Sequence, residues 1–258
     1  MRRDNQMAIC KILNMEVELI TKTVGVGDYA GRSIDEVIVA IARLSSQREG
    51  NELFDQPEKL LRHCLLNGHW SVFSTVNLGF MVTTSRAMGR ELLRHWSLSP
   101  QEFSQRYASP SGAEPVICRK QSPSNRQSST EAFDPDLGKW WEGITAQDAV
   151  TGSIDYSTAL YNEMTSKGVA RECARMILPE CTTTKLYFNG KVRDWITFLN
   201  VRLHKTAQKE CREIAMEIAR LMQQECPLIC RMLGNFENAY EIPFLDQLIL
   251  DKHKPKHK

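Results

Sequence analysis

Glu16-Val17-Glu18-Leu19-Ile20 alternates polar and apolar side chains, the period of a half-buried strand. Ser33 stands just before Ile34-Asp35-Glu36-Val37-Ile38 and reads as the N-cap of a helix running to about Leu44. A second helix is expected from Pro57 to Leu66, ending near Asn67-Gly68. Phe73 to Thr84 is rich in Val, Phe and Thr and predicts a strand, after which Ser85 can cap a helix from Arg86 to about Trp96. Residues 97–107 read as a loop opened by Ser99-Pro100. Ser109 to about Gly138, rich in Ser, Pro, Asn and Gln, reads as a long functional or mobile loop. Helices are expected at about Ile154–Ser166 and Val169–Ile177, the latter stopped by Pro179. Lys185 to Phe188 predicts a strand with Asn189-Gly190 as a tight turn. One long helix from about Arg193 to Gln224 closes the pattern, with Trp195, Phe198, Leu199, Ile214, Ile218 and Leu221 on its apolar face. Strands and helices mix without a βαβ rhythm, which favours an α+β fold over a doubly wound sheet.

The 258 residues are expected to form one domain, with 42% hydrophobic and 25% charged side chains, the profile of an ordinary globular protein. There is no run of eighteen apolar residues, so no membrane span is expected. The basic start, Met1 to Gln6, is not followed by the apolar stretch of a secretory signal. A net charge of +2 points to no polyanionic partner, and no specific nucleic acid is expected. The basic tail Lys252 to Lys258 reads as a solvated, disordered end. The eight cysteines form no CxxC pair and no zinc spacing. They suit a reducing compartment, so a cytoplasmic protein without a metal is expected.

The densest polar stretch is Arg94-His95-Trp96-Ser97-Leu98-Ser99-Pro100-Gln101-Glu102-Phe103-Ser104-Gln105-Arg106-Tyr107. Guanidinium forks match phosphate oxygens, and serine hydroxyls with turn amides complete an anion cradle. The same composition describes a loop of solvated charges, and composition alone favours that plainer account. Arg171 and Arg175 share a helix face, again as solvated charges or as a paired anion site. Arg202 lies beside the apolar stripe of Phe198 and Leu199, either snorkelling outward or pointing into a site. His69, alone in Gly68-His69-Trp70-Ser71, is more often structural than catalytic. The chain has no Gly-rich phosphate loop, GxSxG elbow or HExxH pair, and nothing around Cys226 would activate a thiol.

Arg94-His95 followed by Ser99, Ser104 and Arg106 resembles RHRxxSxxxxSxR, the signature of flavin-dependent thymidylate synthases. Gly68-His69-Trp70-Ser71-Val72-Phe73 is similar to that family's upstream HxS/T segment. Glu172-Cys173-Ala174-Arg175-Met176-Ile177-Leu178-Pro179 resembles its E-x-A-R-x-x-L-P. Arg193-Asp194-Trp195 through Arg202 and Ala207-Gln208-Lys209-Glu210 resembles its closing helix. About residues 15–235 are covered in order. The resemblance implies a homotetramer with active sites between subunits, acting on a pyrimidine deoxynucleotide monophosphate. It implies methylation of dUMP at C5 with methylenetetrahydrofolate as carbon donor, FAD as cofactor and NADPH as reductant. Protein then supplies position and charge while the cofactor carries the difficult step. Position by position, Ser104 and Arg106 would hold the nucleotide phosphate, with Arg175 from another subunit. Phe103 and Gln105 would complete the substrate segment. Arg202 would stabilise negative charge on the pyrimidine. Arg94, His95 and Glu102 would line flavin and nucleotide together, Ser71, Arg193 and Thr197 would contact FAD, and His69 falls on a functional histidine.

Five positions depart from the pattern. Trp96 replaces a flavin-contacting arginine, and an indole can stack but carries no charge. Glu91 replaces a glutamine that touches the nucleotide. Ser74 replaces a glutamate, while Lys191 and Thr206 replace an asparagine and a histidine near the flavin. Three readings follow: a working thymidylate synthase; an enzyme of the same fold taking dCMP, through a Glu91 bond to the cytosine amino group, or making a hydroxymethyl product; and a catalytically silent relative that binds nucleotide or flavin.

Overall fold

The structure is a computed structural model that describes residues 15–44 and 46–234. The basic tail and Cys10 lie outside the described residues. Glu16–Lys22 forms β1, as the alternation at Glu16 to Ile20 predicts. Ile34–Ala42 forms α1, and Ser33 and Glu36 close a capping box at its start: the Glu36 N–H donates to Ser33 Oγ (3.3 Å) and the Ser33 N–H to Glu36 Oε2 (2.9 Å). Pro57–Leu66 forms α2 with the expected bounds. Asn77–Ser85 forms β2 and Arg86–Leu93 forms α3, whose first turn is capped by Ser85 Oγ accepting from the Met88 N–H. Phe73, expected to open that strand, instead sits fully buried in a 3-10 turn, Trp70–Ser74.

Ser99–Glu102, expected within a loop, is strand β3. The sheet order is β1-β2-β6-β3, with β6 spanning Thr183–Lys191, which puts β3 at an edge, where Pro100 sacrifices no interior ladder bond. Arg119–Gln121 (β4) and Ser129–Ala132 (β5) pair antiparallel inside the segment read as irregular. Ala146–Ser166 forms α4, eight residues earlier than its apolar pattern begins, because Thr145 and Asp148 make a capping box ahead of largely exposed turns. Arg171–Ala174 is the short helix α5, continued by a 3-10 turn, Arg175–Ile177, that ends before Pro179.

Thr183–Lys191 forms β6 and runs straight through Asn189-Gly190, where a turn was expected. A Cβ on Gly190 would collide with Leu98 and lie 3.2 Å from Trp195 Nε1, so this glycine serves close packing inside a strand. Backbone bonds Thr23 N–H to Asn77 O, Val192 N–H to Val76 O and Phe103 N–H to Lys185 O set the end of one strand beside the start of its neighbour, the antiparallel arrangement. The single long helix expected from Arg193 to Gln224 is two: Val192–Arg202 (α6) and Lys209–Glu225 (α7). Between them the Thr206 N–H donates to His204 Nδ1 (3.3 Å) and the Ala207 N–H to the His204 carbonyl (2.9 Å), a local turn that competes with helix. Pro227–Leu233 forms α8.

The contacts group the described residues into two compact units, one built from Val82–Arg94 and Gln101–Leu186, the other from Val17–Met81, His95–Pro100 and residues 187–234. In the second unit Trp195 is fully buried, its Nε1–H donating to the Leu78 carbonyl at 3.0 Å. Phe80 meets it edge-on at 4.8 Å and Phe198 at 5.5 Å, a geometry worth about 0.5–1.5 kcal/mol per pair beyond area burial. Ile38, Leu61, Val76, Ile196, Ile214 and Ile218 extend this core. In the first unit, Gly89 lets α3 approach β6 to within 3.2 Å of Thr184 and 3.3 Å of Leu186, measured from where a Cβ would sit. No described helix is long and apolar enough to cross a membrane.

Candidate functional site

A cavity of about 530 Å3 opens in the second unit. Three separate stretches of chain line it: Ser74 and Asn77 ahead of and in β2, His95 to Ser99 around the start of β3, and Asn189 to Thr197 at the β6–α6 junction. The junction is firm. Asp194, at the third position of α6, accepts the Lys191 N–H on Oδ2 at 3.1 Å, and Val192 N–H is held by Val76. The N-terminal end of α6 thus faces the cavity with Lys191 and Arg193 as well as the Asp194 carboxylate, and the two cations give it an excess of positive charge. Thr197 lies one turn on, its hydroxyl donating to the Arg193 carbonyl at 3.1 Å.

His95 is wedged edge-on against Phe198 at 5.4 Å and has a hydrogen bond to the Asp194 backbone. Burial, and then the charge of Arg202, lower its pKa below the ordinary 6.5, against the opposing pull of Asp194. The ring is therefore neutral near pH 7. Because the unfolded chain binds this proton more readily, the contribution to stability is present above pH 6.5 and is lost as pH falls through the lowered folded value. Its Nε2 and the Oγ of Ser97 are buried and have no hydrogen-bond partner in the structure. Two polar atoms left in this way suit a ligand that brings its own donors and acceptors. Arg202, half-buried at the end of α6, is close enough to act on His95 through its charge.

The structure thus brings His95, Trp96, Lys191, Arg193 and Thr197 to one cavity together with Ser74. Ser71 and His69 are exposed at the 3-10 turn before β2; His69 meets the His63 ring at 5.5 Å and does not line the cavity. Thr206 is also outside the lining, its Oγ1 2.7 Å from His204 Nδ1. Asn77, Ser97, Asn189 and Asp194 were given no role from sequence, and Ser99 entered only as a position of the signature. Ser97 and Ser99 lie in the densest polar stretch and Asp194 at a helix N3 position, so a local signal existed for those three. For Asn77 and Asn189 there was none, since only strand pairing makes them neighbours of the rest.

The first unit holds the remaining residues. Glu91 is half-buried on α3 and Arg94 is exposed at its end. Glu102 accepts from Thr184 Oγ1 at 3.0 Å and faces Arg86 at 3.7 Å. Phe103 N–H donates to the Lys185 carbonyl at 2.8 Å, fixing the segment that follows against β6. Ser104 then opens a turn: its Oγ accepts the Arg106 N–H at 3.3 Å and its carbonyl accepts from Tyr107 and Ala108. Gln105 is buried, with its amide nitrogen unpartnered. Arg106 is exposed and meets Glu172 at 3.5 Å. An exposed pair of this kind is worth little, so an arriving phosphate dianion can displace the carboxylate. Arg175, half-buried, occupies the 3-10 turn three residues past Glu172. The arrangement is a turn carrying one guanidinium, with a second, that of Arg175, close in sequence to Glu172.

Cys226 is no nucleophile: its thiol is kept protonated by a hydrogen bond to Cys230 and by burial, which hold its pKa well above the ordinary thiol range. No group of three or more His, Cys, Asp or Glu among the described residues could hold a metal.

A family model described as thymidylate synthase complementing protein matches residues 28–228. The chain is similar to a flavin-dependent thymidylate synthase of Synechocystis sp., 40% identical over 221 residues that span 85% of this chain and 99% of the relative. It is also similar to a probable flavin-dependent thymidylate synthase of Paramecium bursaria Chlorella virus 1, at 35% identity with the same coverage. Among solved structures, the UMP/dUMP methylase PolB of Streptomyces cacaoi, bound with 5-Br dUMP, shares the fold. Its TM-score is 0.64 at 22% identity, over 88% of this chain and 95% of that one.

Proposed function

The chain belongs to the flavin-dependent thymidylate synthases, and from that membership we propose that it converts dUMP to dTMP by reductive methylation at C5, with methylenetetrahydrofolate as carbon donor, FAD as cofactor and NADPH as reductant. The observation that carries this reading is convergence: three stretches of chain that are separate in sequence line one cavity with cations, hydroxyls and unpartnered polar atoms. The residues present fit a flat, polar ring system with an anionic tail. Once reduced by NADPH, a flavin held there would supply the hydride for the pyrimidine.

Lys191 and Arg193, at the open end of α6, would hold the anionic part of the cofactor, and His95 and Ser97 its polar edge. Neutral His95 offers one free ring nitrogen without adding a second positive charge beside Arg202. Arg202 would stabilise negative charge developing on the pyrimidine. Ser104 and Arg106 would bind the nucleotide phosphate, Arg106 leaving Glu172 to do so. Arg175 would join them from another subunit of a homotetramer. Ser71, Glu91, Arg94, Glu102, His69 and Thr206 complete the proposed set. The reducing, cytoplasmic setting suits the free, buried Cys64, Cys181, Cys211, Cys226 and Cys230.

The test is a tritium-release assay with 5-labelled dUMP and dCMP side by side, using purified protein, FAD, NADPH and methylenetetrahydrofolate. Release from dUMP with FAD retained supports the reading. Release from dCMP alone assigns the cytosine substrate that Glu91 motivates. A colourless protein that takes up no FAD and oxidises no NADPH overturns both.

A further inference from the structure

We propose that Trp96 is the stacking face for the isoalloxazine ring, and that in this chain flavin affinity rests on that apolar contact; the inference builds on the flavin-dependent reading above. Trp96 is 92% exposed, the most exposed of the described large hydrophobic residues, and it lines the cavity. Its exposure does not come from a loose segment. On one side His95 is pinned against Phe198 and bound to the Asp194 backbone. On the other, Leu98 is buried over Gly190, and its N–H donates to the His95 carbonyl at 3.2 Å. The indole is thus presented from a turn anchored at both ends, so little order has to be imposed when a ring lies against it.

The rest of the lining gives the indole its meaning. Ser74, Asn77, Ser97, Ser99, Asn189 and Thr197 are neutral and polar, able to satisfy the edge of a heteroaromatic ring but not its face. The indole is the one large apolar plate on that wall. An exposed indole with polar edge groups around it is the composition of a base- or flavin-stacking platform, in which the face supplies affinity and the edge supplies orientation. Lys191 and Arg193 sit at the α6 end of the same cavity beside the Asp194 carboxylate, and their charge suits the phosphates rather than the face of the ring.

The experiment titrates the full-length protein with FMN, FAD and ADP, following tryptophan emission and, separately, flavin fluorescence for Kd. The Trp96 signal is taken as the difference between wild type and Trp96→Phe, because the chain holds five tryptophans. Expected results are quenching of Trp96 by FMN and FAD, a Kd for FMN weakened about tenfold to a hundredfold in Trp96→Ala, and recovery to within about threefold in Trp96→Phe. Affinity for riboflavin, which lacks the phosphate that Lys191 and Arg193 would hold, should change by less than about threefold when salt rises from about 0.05 to 0.5 M, since stacking is not screened. An unchanged Kd in Trp96→Ala, or quenching by ADP but not FMN, overturns the inference. If that happens while wild type still binds FAD and releases tritium from dUMP, the thymidylate synthase reading stands and only the role of Trp96 falls. If wild type binds no flavin at all, both fall together.

Discussion

Arg106 and Arg202 differ in what surrounds them, and the difference predicts how each fails. Arg106 is 60% exposed in its side chain and, among the described residues, pairs with an exposed carboxylate, so it is available for a phosphate without prior desolvation. Arg106→Ala is expected to raise KM for dUMP about tenfold or more while kcat falls much less, because it removes binding common to ground and transition states. Arg202 is half-buried beside the lowered His95. Arg202→Ala is expected to lower kcat about a hundredfold to a thousandfold with a native circular-dichroism spectrum and Tm, the signature of lost electrostatic stabilisation. Wild-type-like kcat in that variant would refute its role. Gly190 carries a structural demand instead. Gly190→Ala drives a methyl group into Leu98 and towards Trp195, which is expected to cost about 1–3 kcal/mol in urea unfolding and to weaken FAD binding through the displaced turn that holds Trp96. The sequence showed a glycine there but suggested a turn. Only the packing partners reveal the real reason for it.

Most elements were legible where local chemistry repeats itself. Ser33 with Glu36, Pro57, and Ser85 each mark a helix start, and the structure places helices behind all three. Elements were missed where the decisive partner is remote or the face is polar. β3 contains Pro100 and almost no apolar side chain, and exists because β6 offers it an edge. The break between α6 and α7 arises from His204 and Thr206, whose side-chain bonds override an apolar period continuing on both sides. One contact between elements carries a pH prediction. Asp35 in α1 is fully buried and accepts the Leu228 N–H at 2.7 Å and the Ile229 N–H at 3.2 Å, at the start of α8. Burial nevertheless dominates and raises its pKa from 3.8 to about 6. The folded protein therefore keeps a proton that the unfolded chain releases, and this group's contribution to stability declines as pH rises from 3.8 to about 6. Asp35→Asn is expected to remove that decline. The difference between variant and wild type in urea unfolding should grow across the window by up to about 3 kcal/mol and level off above it.

At the scale of the whole molecule, the proposed sharing of active sites between subunits makes a prediction that no single-chain defect imitates. If Arg175 serves a site whose Arg202 belongs to another subunit, Arg175→Ala and Arg202→Ala variants should each be nearly inactive alone. Unfolded and refolded together, they should regain about a quarter of wild-type activity, since mixed assemblies contain some sites with both arginines intact. No recovery on mixing, with sedimentation showing mixed oligomers, would place both arginines in one subunit's site. What the sequence determined by itself was the fold class, the helix starts marked by Ser33, Pro57 and Ser85, and the family. Each of these is carried by capping residues, apolar period or motifs that lie within a few positions along the chain. What only the tertiary structure decided was which of those residues share a cavity. Ser74, His95, Trp96 and Arg193 become neighbours because β2, the turn before β3, and the β6–α6 junction pack on one buried Trp195, and the Gly190 that lets Leu98 settle over it is a matter of contact, not of local pattern.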